Sequence, residues 1–348
     1  MRFYEISLFP PGSTTAARTF TSFPSGQFDP GALNVEFDLT VAPYGTPIGG
    51  QSITIEGISI ADLMQPQQFA PQIVNGALQP GMTLVLKGGM GKGLPLANPL
   101  QQGTLLKGQI WQAFGNWEGT EMTLDFVINP GGFDSDNPGN FVLNWQAGQP
   151  LSMALQNCLS VAYPGTPLAV NISPQLVQSS TEMHYCGTLE EMSQYIQGVT
   201  NGQFLGSSYS GVHIAMQGGA LSVFDSTATP AITQLNFADL VGQPTWIDVN
   251  TLQVKLVMRG DLQIGGSVKM PVGLSGQAGQ VTTSGNSLPS STNYLTTFSG
   301  SFLITEMRHI GNFRSSDGGS WVTVINCVPI PPKTPSVTIG NPIVVGPA

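Results

Sequence analysis

Alternation of apolar and polar residues dominates the first 130 residues of the chain. It is clearest in four runs separated by Gly, Pro and Asn turns: VEFDLTV (35–41), SITIEGISI (52–60), MTLVLKG (82–88) and MTLDFVI (122–128). A period of two between turn residues is typical of half-buried antiparallel strands. The pattern therefore predicts an all-β domain over residues 1–130.

Helical periodicity appears in the next stretch of the chain. PLSMALQNCLSVAY (150–163) places its apolar side chains on one face of a helix. A second helix is predicted to start at Thr188, which forms a Thr-x-x-Glu capping box with Glu191, and to end at Gly198 or Gly202.

A hairpin signal follows the second helix. VHIAM (212–216) and ALSVF (220–224) flank the turn sequence Gln-Gly-Gly. Together with the two helices, it predicts a small α/β domain over residues 131–245, inserted in a β protein.

Strand-like alternation returns in the last third and predicts a second β domain over residues 246–330. TLQVKLVMRG (251–260) and SVKMP (267–271) precede a stretch at 273–297 that is rich in Gly, Ser, Thr and Asn and is expected to be a flexible loop. FLITEMRHI and SWVTVINCV then form a hairpin around the loop FRSSDGGS. Repeated prolines predict an extended C-terminal arm over residues 331–348.

An ordered set of short matches relates the two β segments. LVLKG (84–88) matches LVMRG (256–260), and the Gly-Asn-aromatic turn at Asn116 matches the one at Asn312. Each turn precedes a strand that ends in Ile-Asn. Matches in the same order favour duplication, so residues 1–130 and 250–330 are predicted to superpose, with Asn116 and Asn312 at equivalent hairpin corners.

Charge is scarce and its balance is acidic. Charged residues make up 9% of the chain, against about 25% in ordinary soluble domains, and the formal net charge is −9. Few charges suit a chain whose surfaces are buried in an assembly, and the acidic balance argues against a protein that reads nucleic-acid grooves. With no apolar run of about 18 residues and no signal pattern, we expect a soluble protein made in the cytoplasm, without membrane insertion.

Motifs that carry chemistry are weak throughout the chain. The glycine-rich segment 88–93 lacks the ending of a phosphate-binding loop and is interpreted as a mobile loop, and 134–139 departs from a calcium loop and is interpreted as a junction turn. The cysteines lack CxxC spacing and are expected to be buried reduced thiols. They are Cys158, Cys186 and Cys327.

Titratable residues do not form a catalytic pattern either. The histidines are spread over two predicted domains, at His184, His213 and His309. Glu190 and Glu191 suit the first turn of a helix rather than a glycosidase pair. Arg308 is expected to form a salt bridge at the hairpin edge with Asp317 or Glu306. The sequence therefore predicts no catalytic residue, no cofactor site and no metal site.

The order of domains and the closing hairpin carry a resemblance. Two related β domains, an α/β domain between them and a hairpin of the form F-x-I-T-x-x-x-H…W-x-T resemble baseplate hub proteins of contractile-tailed bacteriophages, which are similar to the hub part of type VI secretion spike proteins. The matching stretches are GDLQIGGSVKMP (260–271), FLITEMRHIGNF (302–313), SWVTVINCV (320–328) and TLEEMSQYIQGVTNG (188–202).

The resemblance implies a mainly β fold with two tail-tube-like β-barrel domains related by duplication. It implies a homotrimeric ring with pseudo-sixfold symmetry that joins the sixfold tail tube to the threefold spike and lines the DNA channel. The implied partners are the tail tube or a tube-initiator protein, a separate spike chain, other baseplate proteins, and DNA that passes without specific binding. The implied location is the virion baseplate, assembled in the host cytoplasm.

Two alternatives remain at the level of sequence. A β-sandwich adhesin of a virion or cell surface would display exposed Trp and Tyr on a loop face. A cell-wall hydrolase would need a cleft with paired carboxylates. The hub interpretation predicts a structural protein without enzymatic activity, and an inner wall that is neutral to acidic.

Overall fold

The fold was analysed in a computed structural model. The structure describes residues 1–46, 51–91, 98–130, 140–206, 209–227, 232–248, 250–271, 280–281 and 300–330. The predicted loop at 273–297, apart from two residues, and the predicted arm at 331–348 lie outside these ranges. So does the segment 134–139.

The first β region, residues 1–130, contains long strands and a short helix. Its elements are β1 (Arg2–Phe9), β2 (Arg18–Thr21), β3 (Asn34–Val41), β4 (Gln51–Glu56), α1 (Ile60–Leu63), β5 (Gln72–Val74), β6 (Ala77–Gln79), β7 (Thr83–Met90), β8 (Gly103–Glu118) and β9 (Glu121–Asn129). All four predicted strands form, as β3, β4, β7 and β9, but the second is shorter than predicted: β4 ends at Glu56, and the predicted strand residues 57–60 lead into α1 instead. Gly88 and Gly89 belong to β7, which continues to Met90, so the loop predicted at 88–93 does not begin at residue 88.

The middle region combines two helices with small sheets. Its elements are β10 (Phe141–Trp145), α2 (Leu151–Ala162), β11 (Leu168–Asn171), β12 (Glu182–Cys186), α3 (Leu189–Thr200), β13 (His213–Gln217) and β14 (Ala220–Phe224). β10 pairs with β12, while β11, β14 and β13 form a separate sheet in that order. The predicted hairpin is β13–β14, and its turn residues Gly218 and Gly219 both have positive φ angles, as a two-residue turn of this kind requires.

Both predicted helices form, with differences at their ends. The Thr188 hydroxyl accepts a hydrogen bond from the Glu191 amide at 3.1 Å, as the capping box requires. The Glu191 carboxylate, however, accepts from the Gly187 amide at 2.7 Å rather than from Thr188. The helix passes through Gly198 and ends at Thr200.

The second β region contains β15 (Ile232–Gln234), β16 (Thr245–Trp246), β17 (Leu252–Val257), β18 (Ser267–Lys269), β19 (Gln280–Val281), β20 (Ser301–Asn312) and β21 (Trp321–Pro329). β20 and β21 form the predicted closing hairpin. Because β15 pairs with β18, the segment at 232–234 joins this region rather than the α/β domain to which the sequence assigned it.

One continuous sheet runs through both β regions. Its order is β19-β16-β17-β21-β20-β3-β4-β9-β8-β7-β1-β2, with β18 also paired to β20 and to β15. No sheet closes into a barrel among the described strands. The fold is mainly β, as predicted.

Strand β20 joins the two β regions. Its first residues, Ser301–Leu303, pair with β18, and its last residues, Met307–Asn312, pair with β3. A bulge at Thr305, between the two halves, shifts its register against β21. The closing hairpin is therefore a structural element: it adds the second β region to the edge of the first.

Each of the three regions has its own apolar core. In the first β region the core fills the face of the sheet lined by alternate residues of β3, β4 and β9, and it also takes in Met258 and Trp321 from the second region. The second core includes Trp246 and Phe302, and the third lies between α2, α3 and the small sheets of the middle region.

Hydrogen bonds attach the middle region to both β regions. The Tyr44 amide donates to the Ile214 carbonyl at 2.8 Å, and the Ser193 hydroxyl donates to the Tyr44 carbonyl at 3.1 Å. On the other side, the Gln217 side-chain amide donates to the Leu262 carbonyl at 2.9 Å and accepts from the Ile264 amide at 2.8 Å. Helices long and apolar enough to span a bilayer are absent from the described part of the chain.

Candidate functional site

The shared sheet has one polar face. Alternate residues of β17, β21, β20, β3, β4 and β9 point away from the apolar cores and form what we call the polar face. Its hydrogen-bonding side chains are Gln253, Lys255, Asn326, Glu306, Arg308, Asn312, Asn34, Glu36, Asp38, Thr40, Ser52, Thr54, Glu56, Glu121, Thr123 and Asp125.

The polar face carries more acidic than basic side chains. Carboxylates occur on β20, β3, β4 and β9, whereas Lys255 and Arg308 are its cations. The excess of carboxylates gives this face a negative field, because only part of the acidic charge is matched across the strands.

Neighbouring side chains hold these carboxylates in place. Arg308 binds Asp38 with two hydrogen bonds, one of them 2.7 Å long from Nε, and this hydrogen bonding raises the pKa of Arg308. Asn312 donates to Glu36, which is one strand away. Both contacts cross from β20 to β3, so the polar face also fastens the second β region to the first.

Neutral donors bind two further carboxylates of the face. The Thr54 hydroxyl and the Asn116 amide donate to the two oxygens of Asp125, at 2.5 and 2.9 Å. The Asn326 amide donates to Glu306 at 2.8 Å. Amide and hydroxyl donors fix a carboxylate without cancelling its charge, so the face stays acidic.

A buried ionic cluster lies where the first and second β regions meet. The Arg259 guanidinium, which is 3% exposed, binds Asp239 at 3.2 Å and Asp261 at 2.6 Å. The Gln101 amide of the first region donates to the second oxygen of Asp239 at 2.7 Å. Buried charges of this kind persist only when they are paired and hydrogen-bonded, so the cluster specifies one arrangement of the two regions.

The backbones also come very close at this cluster. The Gly260 amide donates to the Gln101 carbonyl at 2.9 Å. A Cβ atom added at Gly103 would lie 2.1 Å from the Gly260 carbonyl oxygen, and one added at Gly260 would lie 2.5 Å from the Gly103 backbone. Neither glycine can therefore carry a side chain unless the two backbones move apart.

His309 is buried beside this contact. Its Nδ1 lies 3.0 Å from the Thr323 hydroxyl, and its Nε2 has no hydrogen-bond partner among the described residues. Burial lowers the pKa of His309 to about 4. The Arg259 backbone amide donates to the same Thr323 hydroxyl at 3.0 Å, so Thr323 links the buried imidazole to the backbone of Arg259.

Two aromatic residues of the closing hairpin anchor it in the first β region. The Trp321 indole donates to the Gly89 carbonyl at 2.9 Å and packs edge-on against Phe37, with ring centroids 5.4 Å apart. Phe313 makes a similar contact with Tyr4 at 5.0 Å. The Gly-Asn-aromatic motif of the second region thus supplies a packing anchor.

The structure places the other predicted residues apart from one another. His184 of β12 stacks on Tyr195 of α3, with ring centroids 3.5 Å apart. Burial lowers the pKa of His213 in β13. Glu190 lies in the first turn of α3, as predicted. The described ranges contain no group of three or more His, Cys, Asp or Glu side chains placed to hold a metal ion.

The cysteines are free thiols. Cys186 and Cys327 are buried as expected, whereas Cys158 is only half-buried. Burial raises the pKa of Cys158 and of Cys186 to about 11. Thiols with raised pKa values are poor nucleophiles at neutral pH.

One predicted contact of the hairpin is wrong. Arg308 binds Asp38 rather than Asp317 or Glu306. The sequence interpretation considered only partners within the hairpin, whereas pairing of β20 with β3 brings Asp38 beside the guanidinium.

Sequence reasoning also missed the buried cluster of Arg259, Asp239 and Gln101. For the polar face a local signal did exist: alternate residues of a strand point to the same side, so VEFDLTV could have placed Glu36 and Asp38 on one face. No local signal marks Arg259 as buried, because its partners are brought together only by the fold.

Comparison with known proteins gave structural neighbours only. No protein-family model and no curated protein sequence matches the chain. Among solved structures, the 43 kDa tail protein of prophage MuSo2 from Shewanella oneidensis is similar over 93% of this chain and 96% of its own, with 10% identity and a TM-score of 0.46.

Two further neighbours are of the same kind. The tail protein from Neisseria meningitidis MC58 is similar over 94% of this chain and 96% of its own, with 11% identity and a TM-score of 0.43. The E. coli c3393 protein is a type VI secretion component with structural similarity to the T4 tail proteins gp27 and gp5. It is similar over 85% of this chain and 73% of its own, with 11% identity and a TM-score of 0.41. Two of these neighbours are tail proteins, and the third is a type VI secretion component.

Proposed function

We propose that this chain is a structural hub of a phage tail baseplate, without enzymatic activity. In this proposal three chains form a ring with pseudo-sixfold symmetry that joins the sixfold tail tube to the threefold spike. The observation that carries it is a shared strand order in the two β regions.

The shared order involves five strands on each side. In the first region β3, β4, β9, β8 and β7 lie side by side, each antiparallel to the next. In the second region β16, β17, β21, β20 and β18 do the same. The two series follow the chain in the same order, and the fourth and fifth strands in chain order form a hairpin in both. This is the pattern that duplication of one domain leaves.

The shared order corrects one match made from the sequence. LVLKG lies in β7, which pairs with β8, the first strand of the β8–β9 hairpin. LVMRG begins in β17, which pairs with β21, the second strand of the β20–β21 hairpin. By strand order β17 corresponds to β4, and β7 corresponds to β18. The match between LVLKG and LVMRG is therefore wrong as a strand equivalence.

We infer two tube-like barrel domains, one at residues 1–130 and one at residues 246–330 together with β15, with an α/β domain over the rest of 131–245 between them. Three chains would then contribute six such domains to one ring, which matches a sixfold tube on one side and a threefold spike on the other. Pairing of β20 with β3 supports this arrangement, because it fixes two neighbouring domains of the ring edge to edge.

We assign the polar face to the wall of the DNA channel. Carboxylates held by neutral donors would repel phosphates, so DNA could pass without being bound. Basic residues on such a wall would retain the nucleic acid. The low charge content of the chain suits the burial of its other surfaces against the tube or tube-initiator protein, a spike and other baseplate proteins.

A surface adhesin is a second candidate because of one observation. Trp111, Phe114 and Trp117 are 47–59% exposed along β8, whereas an adhesin was expected to display aromatic residues on a loop face. Their position on a strand favours packing against a neighbouring protein over ligand capture by a loop.

The mass of the purified protein separates the two candidates. If the chain forms a hub ring, native mass spectrometry should give three times the chain mass of 36.7 kDa. A monomer at every concentration tested contradicts the ring. Images of trimers bound to tail tube on one side and to spike on the other would establish the hub role itself.

We also propose that the arm at 331–348 docks on a neighbouring hub subunit or on the spike. The sequence Val337-Thr-Ile339 and Ile343-Val-Val345 keeps apolar residues between prolines, as segments that order on a partner do. Deletion of residues 331–348 is expected to reduce trimer recovery or spike attachment. Unchanged assembly and infectivity contradict the docking.

A further inference from the structure

The β5–β6 hairpin is exposed on all six of its strand residues. Ile73 and Leu78 face each other across the two strands and are 76% and 57% exposed. Asn75 and Gly76 form its turn, both with positive φ angles. A two-stranded hairpin in water is marginally stable, so one that displays an apolar pair needs a surface to pack against.

The chain around this hairpin is uncharged. No Asp, Glu, Lys or Arg occurs between Asp62 and Lys87, and glutamine is the commonest polar residue there. Met64, directly after α1, is 66% exposed and adds a further apolar side chain. The hairpin can therefore enter an apolar site without desolvating any charge.

A groove of matching character lies on the middle region. It has a volume of about 540 Å³ and runs between α2 and β10, lined among others by Val142, Asn157, Cys158 and Val161. None of its lining residues is ionisable as an acid or a base except the Cys158 thiol, and Val161 is 81% exposed.

One side of this groove is a strand edge. β10 pairs with β12 on one side, and no described strand pairs with its other side. The groove beside this edge is uncharged, and its lining combines apolar side chains with the amides of Asn140, Asn144, Gln146, Gln149 and Asn157. Strand edges of this kind accept an added strand, which supplies backbone hydrogen bonds while the groove holds alternate side chains.

We propose that the β5–β6 hairpin of one copy inserts into the α2–β10 groove of the next copy and adds to the edge of β10. The occupant is a second copy because this chain itself supplies both complementary surfaces. With a net charge of −9 two copies repel each other on average, and this repulsion is weakest where uncharged surfaces such as these two meet. The inference rests on the ring of the proposed function and names the contact that builds it.

The contact is head-to-tail, because hairpin and groove are different surfaces of one chain. Heterologous contacts generate closed rings when the rotation between copies closes. Each subunit of a trimer would then donate one hairpin and receive one.

Two substitutions, each of which introduces one negative charge, test the contact. Leu78→Glu alters the hairpin and Val161→Glu alters the groove, while Ile232→Glu, at a residue 56% exposed in β15, is the matched control. All three positions are exposed, so each variant is expected to fold, which circular dichroism checks. We expect L78E and V161E each to weaken association at least about tenfold and I232E to leave it unchanged.

Mixing the two variants tests the direction of the contact. L78E keeps an intact groove and V161E keeps an intact hairpin, so an equimolar mixture should form a 1:1 dimer that neither forms alone. Native mass spectrometry distinguishes the two chains by mass. Monomers in the mixture contradict the head-to-tail contact.

The mass of the wild-type protein separates this inference from the ring. A wild-type trimer that persists in both variants overturns the hairpin contact and leaves the ring standing. A wild-type dimer or open polymer that both variants dissociate supports the contact and overturns the ring. A wild-type monomer overturns both.

Discussion

The first and second β regions share one strand order but differ in how complete their strands are. β3 and β7 have eight residues each, whereas their counterparts β16 and β18 have two and three. β20, by contrast, has twelve residues and extends past β18 to pair with β3. The second region is the shorter sheet, and it uses its longest strand to attach to the first.

This difference indicates how the contact between the two regions is specified. On the solvent side it consists of exposed pairs such as Arg308 with Asp38, about half-exposed on both partners. On the inner side it consists of the buried Arg259 cluster, the Gly103–Gly260 approach and His309. Burial decides which of these matter for stability, because exposed ion pairs contribute under about 1 kcal/mol.

The largest effect is expected from breaking the buried cluster. Arg259→Met leaves Asp239 buried without its cation, and loss of one partner of a buried pair costs about 3–5 kcal/mol. Chemical denaturation should show this loss. The matched control is Arg308→Met, which removes an exposed pair with Asp38 and should cost less than about 1 kcal/mol. Equal losses in the two variants would contradict the assignment of stability to the buried side.

Acid should weaken the same contact through His309. The pKa of His309 is lowered to about 4, below the value of 6.5 for an unperturbed histidine, so the unfolded chain takes up a proton that the folded chain excludes. Stability is therefore complete above pH 6.5 and falls by about 3 kcal/mol as the pH drops to 4.

The variant His309→Phe isolates this contribution. It keeps a ring in the site but cannot titrate, so its stability should change less between pH 6.5 and pH 4 than that of the wild-type protein. Denaturation midpoints across this range measure the difference. Parallel pH profiles of the two proteins would show that burial does not shift the pKa of His309.

Filling the close approach of the two backbones should have a smaller effect. Gly103→Ala places a Cβ atom 2.1 Å from the Gly260 carbonyl, and overpacking of this kind costs about 1–3 kcal/mol. Gly198→Ala is the control, because it lies within α3 with nothing within 4 Å of the added atom. It should stabilise the protein by up to about 1 kcal/mol. A loss in both variants would mean that the junction is no more crowded than a helix surface.

Local patterns predicted most of the elements and few of their contacts. Alternation located β3, β4 and β9, and the capping pattern at Thr188 located α3, because these signals depend on neighbours in the sequence. The pairing of β20 with β3 joins residues about 270 positions apart, for which no local pattern exists. The short strands β5 and β6 were missed because their six residues provide too little alternation.

The candidate site divides in the same way. The sequence showed no metal or catalytic motif, and a neutral to acidic inner wall was predicted because basic residues would bind passing DNA, with which the net charge of −9 is compatible. Its location was not, because the outward carboxylates of β20, β3, β4 and β9 form one face only when these strands are joined. Arg308 shows the limit of local reasoning: its partner was sought within the hairpin and lies in another domain.

The central claim is that three chains form a ring with the polar face toward the channel, and electron cryomicroscopy of the assembled protein tests it most directly. We predict a threefold ring of six similar β lobes, with Glu36, Asp38, Asp125 and Glu306 lining a central opening. A ring with these side chains on its outer surface, or an assembly without threefold symmetry, would contradict the account.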